Sequence, residues 1–356
     1  MSDFKVVHIV RRYGLVGGME GYVWELTHAL TDLGLEVEVI CEQIYGSPST
    51  KIQINTVKTG TSSPRWKAML RFRAEVNKLI SEKHFDQTSI IHSHERSLNH
   101  NVTTFHGAPL DVKNNWWRFS HLSARIAAWK QMEKDEILGP QVQVVLPVSN
   151  RIKDQLVSLY PKIHNKHVVT AYPGVHPLQL REPSGDDDQY SGSRFVFIGK
   201  EWKRKGLRFA IDVIEEYSSQ FKFCTMDIYG PRVSDLPRSL RQHPKLVCKG
   251  WSKDIPWSNY DALIHPATSE PFGMVVPEAR SNGVPVLTTD LVGSIELNYQ
   301  GVIALDTSDN IKTWAINLAN LVNEKENKNA EIKWTWRQLA LKHLHEIYPL
   351  ATQSLG

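Results

Sequence analysis

A short apolar run, a glycine-bearing loop, an amphipathic helix and a second apolar run follow one another at the start of this chain, and the same order begins again near residue 194. Residues 5–10 are rich in Val and Ile, and residues 11–19 read as a loop. Residues 20–33 place Val23, Leu26, Leu30 and Leu33 three and four apart, which draws one apolar face on a helix. Gly34 suits the helix end, and residues 35–41 alternate apolar with polar as a returning strand. Further strands are expected at 90–94, 101–105 and 142–148, and helices at 67–83, 116–136 and 149–159. Residues 176–193 turn polar and rich in Pro, Gly and Asp, as a linker does. The pattern then restarts with a strand at 194–198, a basic loop at 199–206 and a helix at 207–217 carrying Leu207, Ala210, Ile211 and Ile214 on one face. Strands at 223–229, 246–248, 262–265, 284–288 and 302–305 alternate with helices at 277–281, 310–322 and 331–348. The expectation is an α/β chain of two Rossmann-like parallel-sheet domains facing across a cleft, with ligands beyond the carboxyl ends of the strands. Its parts are an N-terminal domain over 1–175, the linker, a second domain over 194–335, and a terminal helix over 336–356 that packs back on the first domain.

At 356 residues the chain is long enough for two cores, and 41% hydrophobic with 22% charged residues is an ordinary globular balance. No apolar run reaches the length of a membrane span, and the first ten residues enter a strand without the pattern of a signal peptide. Cys41, Cys224 and Cys248 are odd in number and form no Cys-x-x-Cys, so they read as packing residues in a reducing cytoplasm. A net charge of +4 suits an anionic small ligand or an acidic membrane surface. The aromatic-basic interleaving of single-strand nucleic-acid binders is missing from the sequence, and no nucleic-acid partner is expected.

The segment Glu270-Pro-Phe-Gly-Met-Val-Val-Pro-Glu278 holds two carboxylates eight positions apart around a turn and a helix start. An ionised carboxylate accepts well from two vicinal ribose hydroxyls, and the amides of Phe272, Gly273, Met274 and Val275 lie at the open helix end. The loop Gly199-Lys-Glu-Trp-Lys-Arg-Lys-Gly206 carries Lys200, Lys203, Arg204 and Lys205 at a strand end. A departing nucleoside diphosphate builds negative charge that such fixed cations stabilise without a metal. A solvated surface loop is the plain alternative for that charge run. Gly17 and Gly18 permit positive φ just before a helix, either to meet an anion or simply to cap the helix. His106, directly after a strand and before Gly107, is placed to bond a sugar hydroxyl or to serve structure alone; His92 and His94 end another strand and rank below it. Asp186 to Asp188 have no apolar strand before them and read as linker, so no metal site is expected.

Gly-Gly-x-Glu at 17–20, Phe-His-Gly at 105–107, the Gly-Lys-x4-Lys-Gly loop at 199–206 and Glu-Pro-Phe-Gly-x4-Glu at 270–278 together resemble the retaining GT-B glycosyltransferases of family 4, over roughly residues 5–350. Tyr172-Pro-Gly-Val175 matches that family's turn before the linker. The family includes enzymes of lipopolysaccharide core, capsule and phosphatidylinositol mannosides. The resemblance implies a metal-independent transfer from a nucleotide-sugar donor, a UDP-sugar first by family frequency, with no cofactor. It implies that Lys205 binds the donor phosphates and Glu278 the ribose. Glu270 and His106 would address the transferred sugar, and Gly17 and Gly18 would face the phosphates from the N-terminal side. Lys200 stands where Arg is common and cannot fork across two phosphate oxygens, although Arg204 is at hand. Leu291-Val-Gly-Ser-Ile-Glu296 has one Gly where relatives often have two.

The N-terminal half is expected to hold a glycan or lipid-linked glycan acceptor. Residues 65–78, with five cations and one acid, form a basic stretch suited either to anionic lipid or to packing on the sheet. Trp116-Trp117-Arg118 would fill a core or stack on a sugar. The expected location is cytoplasmic, peripheral on the inner membrane face. The rival readings are a nucleotide-sugar 2-epimerase of the same fold, which would act without an acceptor, and a nucleotide-sugar-binding protein without turnover.

Overall fold

The computed structural model describes residues 4–60, 64–83, 85, 89–110, 123–176, 192–324 and 329–352. The chain divides into two compact units, Met1–Gly174 with Trp334–Gly356, and Val175–Lys333. The middle of the expected linker, the Asp186 to Asp188 run and the Trp116-Trp117-Arg118 cluster lie outside the described residues.

In the first unit the strands are β1 (Val6–Ile9), β2 (Arg12–Tyr13), β3 (Val37–Cys41), β4 (Gln43–Ile44), β5 (Gln53–Thr56), β6 (Ile90–Ser93), β7 (Val102–Phe105), β8 (Val144–Pro147) and β9 (His167–Val168). Seven of them form a parallel sheet in the order β5-β3-β1-β6-β7-β8-β9, and β2 pairs with β4 apart from it. The helices α1 (Gly18–Asp32), α2 (Arg65–Lys83), α3 (Ala124–Leu138) and α4 (Asn150–Leu159) connect them. Val23, Leu26 and Leu30 of α1 are fully buried, as their spacing demands. Gly34 ends that helix at φ 87°, where a side chain would be strained, and the Leu35 amide returns to the Leu30 carbonyl at 3.2 Å. Met69, Phe72 and Val76 of α2 pack with Val7, Ile9 and Met132, and each such buried side chain contributes about 1.5–3 kcal/mol. The apolar face of the basic stretch is therefore taken up by the core. Arg73 from the same stretch is buried and ion-paired to Asp135 at 2.7 Å.

The second unit contains β10 (Ser193–Ile198), β11 (Cys224–Tyr229), β12 (Leu246–Gly250), β13 (Ala262–His265), β14 (Val286–Thr289) and β15 (Val302–Leu305), with α5 (Leu207–Gln220), α6 (Arg238–Arg241), α7 (Val275–Ser281) and α8 (Ile311–Asn323). All six strands are parallel in the order β12-β11-β10-β13-β14-β15. That is the doubly wound order, whose direction reverses between β10 and β13. Leu207, Ala210 and Ile214 of α5 and Trp314 and Leu318 of α8 form one wholly buried layer over this sheet. The chain ends with α9 (Trp336–Lys342), a π-helical turn over His343–Ile347, and α10 (Tyr348–Thr352), which belong to the first unit. Thr335 caps α9 in a reciprocal capping box with Gln338. Where periodicity predicts one helix over 331–348, the π turn wraps five residues per hydrogen bond instead, and it puts His343 and Ile347 inward. Cys41 and Cys224 are buried, and burial pushes their thiols up to about 12 and about 11. At those values they are inert packing residues.

Candidate functional site

Two loops meet at the switch point of the six-stranded sheet. Residues 199–206 leave β10, and residues 266–274 leave its neighbour β13. Gly206 caps α5 at φ 79°, and a Cβ there would run into the carbonyl oxygen of Pro266. Only glycine lets the loops approach this closely. Gly206→Ala is expected to lose at least about 2 kcal/mol of stability in urea unfolding, since the strained φ and the backbone clash act together; an unchanged midpoint would contradict this packing. The Thr268 amide and hydroxyl both donate to the Arg204 carbonyl, at 3.0 and 3.1 Å.

This approach brings three of the expected residues together. Lys205 Nζ lies 2.5 Å from Glu270 Oε2, and Arg204 Nη1 donates to the same oxygen at 2.8 Å. The side chains of Lys205 and Glu270 are only 14% and 12% exposed. Arg204 also donates through Nε and Nη2 to Glu201, at 2.8 and 2.6 Å, so it bridges two carboxylates. Lys200 is exposed and makes no ion pair among the described residues. His265, at the end of β13, is fully buried, and burial together with the charges of Lys205 and Arg204 holds it neutral.

Glu270 is fixed through its backbone. Its amide donates to Leu291 at 3.2 Å, and its carbonyl accepts from Gly293 at 3.1 Å. The next turn is held the same way: Ser294 donates its amide to Phe272 at 2.7 Å and its hydroxyl to Gly273 at 3.2 Å. Gly273 sits at φ 88°, and a Cβ there would meet Val292 Cγ1 at 2.7 Å. The glycine thus seats the turn on the 291–296 loop. Met274 caps α7 and Val275 begins it. Glu278, in the first turn, is exposed. Desolvation by its surroundings raises its carboxyl's pKa, while Lys205 and His176 oppose the rise. Because the side chain reaches water, that rise is weaker than a buried carboxyl would show.

The first unit has a cavity of about 560 Å³ whose lining includes Arg11, Arg12, Glu20, Glu95, Arg96 and His106. Arg11, Glu95, Arg96 and His106 follow the ends of β1, β6 and β7, Arg12 opens the short β2 just beyond β1, and Glu20 lies in the first turn of α1, again at a switch point, here between β1 and β6. Gly17 and Gly18 do not use the positive φ that their sequence suggests. Gly17 is extended at φ −171°, and Gly18 is already helical. A side chain on Gly17 would instead overlap the carboxylate of Glu20, which folds back over the helix start to pair with Arg12. The left-handed glycine of this loop is Gly14, at φ 145° against the Tyr45 carbonyl.

Beneath the cavity lies a group of histidines. His8 Nδ1 meets His94 Nε2 at 2.9 Å, and His94 Nδ1 meets His106 Nε2 at 3.1 Å. His92 bonds Tyr348 and Thr104 through its two nitrogens, at 3.1 and 2.8 Å. His8, His92 and His94 bring nitrogens within 4.8 Å of one another. Their contacts are those of a hydrogen-bonded network, because both His92 nitrogens already serve hydroxyls. Burial keeps every ring neutral: His8 and His106 are pushed down to about 3, His343 to about 4, and His92 and His94 well below the ordinary histidine range. From sequence His94 ranks below His106, and Arg11, Arg12, Glu95 and Arg96 carry no motif that marks them. The signal that finds them is position, since all lie within a few residues beyond the ends of β1 and β6, where the sheet reverses.

Glycosyltransferases of the GT-B type are built from two such parallel-sheet units. Two family models match this chain: Glycosyltransferase Family 4 over residues 16–177 and Glycosyl transferases group 1 over residues 192–324. An uncharacterized glycosyltransferase of Methanocaldococcus jannaschii is 21% identical over 96% of both chains. An uncharacterized protein from the cps region of Klebsiella pneumoniae is 26% identical over 36% of each. Among solved structures, WaaG, a glycosyltransferase involved in lipopolysaccharide biosynthesis, superposes with a TM-score of 0.75 at 15% identity and 98% coverage of both chains. HepE of Anabaena, in complex with UDP and glucose, gives 0.64 at 14% identity and 98% coverage of both. The chain belongs to the family 4 glycosyltransferases of the GT-B fold.

Proposed function

We propose that this glycosyltransferase is a retaining hexosyltransferase that moves a sugar from a nucleoside-diphosphate sugar, with UDP as the first candidate, to a hydroxyl of a lipopolysaccharide-core or other cell-surface glycan. The bond from the anomeric carbon to the phosphate oxygen breaks, and a bond to the acceptor oxygen forms on the same face. The acceptor's proton leaves with the diphosphate, so no enzyme nucleophile is required. Lys205 and Arg204 stabilise the charge on the departing diphosphate, and this work needs no metal. Glu278 accepts from the ribose hydroxyls, Glu270 addresses the transferred sugar, and His106 contributes a ring nitrogen to a hydroxyl of that sugar. The amides of Phe272, Gly273, Met274 and Val275 line the donor side. Lys200 is too exposed to add more than long-range attraction.

The observation that carries this reading is the meeting of Lys205, Arg204 and Glu270 at the switch point of the second sheet. UDP in the structure of HepE and lipopolysaccharide biosynthesis in the description of WaaG support the choice of donor and acceptor. Location on the cytoplasmic face of a membrane remains part of the proposal. Among the described residues no helix is long and apolar enough to cross a membrane. Contact through residues 65–78 would rest on exposed cations such as Arg65, Lys67 and Lys78.

A thermal-shift screen with UDP-, GDP- and ADP-sugars tests the donor, because a ligand of the folded form raises the melting point by mass action. The UDP-sugar is expected to give the largest rise. Glu278→Ala should raise the donor's Kd about tenfold, and His106→Ala should lower kcat with little change in Kd. No stabilisation by any of the three donors would refute the reading.

A further inference from the structure

We propose that His94 is a positioning residue, the middle member of a hydrogen-bonded chain His8–His94–His106 that fixes the proton of the His106 ring on Nδ1. The inference rests on His106 as the sugar contact and adds which of its nitrogens donates.

The chain crosses three neighbouring strands. His8 lies within β1, His94 follows β6, and His106 follows β7. The His94 amide donates to the Ile9 carbonyl at 3.0 Å, which anchors the middle ring to the strand carrying the first. The planes of His8 and His94 lie within 16° of each other with centroids 5.2 Å apart, while their nitrogens are 2.9 Å apart. The rings therefore meet edge to edge, as hydrogen-bonded imidazoles do. His94 and His106 are tilted by 38° but also meet through their nitrogens, at 5.4 Å between centroids and 3.1 Å between nitrogens. Tyr22 packs edge-on against His106 at 4.8 Å and keeps that ring from turning.

A neutral imidazole has one donor nitrogen and one acceptor. With both nitrogens of His94 engaged, the protons along the chain must all run one way or all run the other. If they run inward, His106 donates to His94, His94 donates to His8, and His8 is left with an N–H at Nε2. If they run outward, His8 donates to His94, His94 donates to His106, and His8 Nε2 is left as an acceptor. His8 Nε2 is buried without a partner among the described residues. Among main-chain groups a buried N–H without an acceptor is rarer than an under-satisfied buried acceptor, and by extension the same asymmetry applies to the ring nitrogens. The outward direction follows. His106 Nε2 is then the receiving nitrogen, and His106 Nδ1–H is left as the donor, fit to meet a sugar oxygen and unable to accept a proton from a hydroxyl.

The test uses the full chain labelled with 15N-histidine at pH 7.5 without ligand, reading tautomers from two- and three-bond ring correlations. The His106 resonances are assigned by their loss in His106→Asn. The expected result is a protonated Nδ1 and an unprotonated Nε2 on His106. A protonated Nε2 overturns the proposal, and this needs no variant that might misfold. His94→Asn places an amide nitrogen where Nδ1 stood; it is expected to keep the His106 tautomer and most of kcat. His94→Phe removes both nitrogens at similar size, should release the tautomer, and should lower kcat about tenfold with donor KM unchanged. A preserved tautomer in His94→Phe likewise overturns the proposal. Failure of the sugar-contact reading looks different: His106→Ala would leave kcat intact while the tautomer in the unliganded protein stays as expected.

Discussion

Lys205→Ala is expected to lower kcat/KM for transfer by about 10²–10³-fold, the largest single effect on activity in this protein. Fixed charge at a developing oxyanion is worth that much where water is held back, and Lys205 is 14% exposed. The loss should divide between a higher donor Kd and a lower kcat, because in the proposed role the ammonium would meet charge already present on a diphosphate and charge that grows as it leaves. Glu270 remains held by Arg204 at 2.8 Å and by its backbone bonds to Leu291 and Gly293, so the fold should survive. Steady-state kinetics with isothermal titration of the donor read both parts. An unchanged donor affinity together with an unchanged kcat would remove Lys205 from the phosphate role.

Acidification from pH 7.5 to 5.5 is expected to destabilise the first unit by about 2–3 kcal/mol. His8, His92, His94, His100 and His343 are buried there, and burial holds all of them below the ordinary value of 6.5, His8 at about 3 and His100 and His343 at about 4. A histidine whose folded pKa is depressed leaves stability intact above about 6.5. That stability is lost as pH falls toward the folded value, because only the unfolded chain takes up the proton. Each net proton is worth on the order of 1 kcal/mol per pH unit. Two carboxyls oppose the trend. Burial raises Glu95 to about 7 and Glu136 to about 8, against the pull of Arg11 and Arg96, so both favour the folded state as pH falls. Five histidines outweigh two carboxyls. Hydrogen exchange should show β1, β6 and β7 losing protection at pH 5.5 well before β10 and β11. Equal or rising protection in the first three strands would refute the sign.

Periodicity made much of the architecture legible. Spacings of three and four marked α1 and α5, and short Val- and Ile-rich runs marked the central strands, because burying one helix face and both sheet faces leaves that imprint directly in the sequence. Edge elements were harder. β5 and β9 are short and partly exposed, and burial leaves no strong pattern on them. Helix boundaries also shifted: α7 begins at Val275, ahead of Pro277, since proline tolerates the first turn but does not announce where it starts.

The order of the glycines, lysines and carboxylates along the chain was enough to point to the glycosyltransferase family, because a loop at a strand end and a helix start are local features. Which atoms meet was a tertiary matter. The sequence offers Gly17 and Gly18 either to an anion or to the capping of a helix, and the fold adds a further constraint at Gly17, which leaves room for the Glu20 carboxylate. Lys205 and Glu270 are 65 positions apart, and they touch only because β10 and β13 are neighbours at the sheet's reversal. His8, His94 and His106 join for the same reason across β1, β6 and β7. Sequence alone determined the alternation of elements and the kinds of groups at their ends; only strand order decided which of those ends stand side by side, since parallel pairing brings together residues that no local spacing relates.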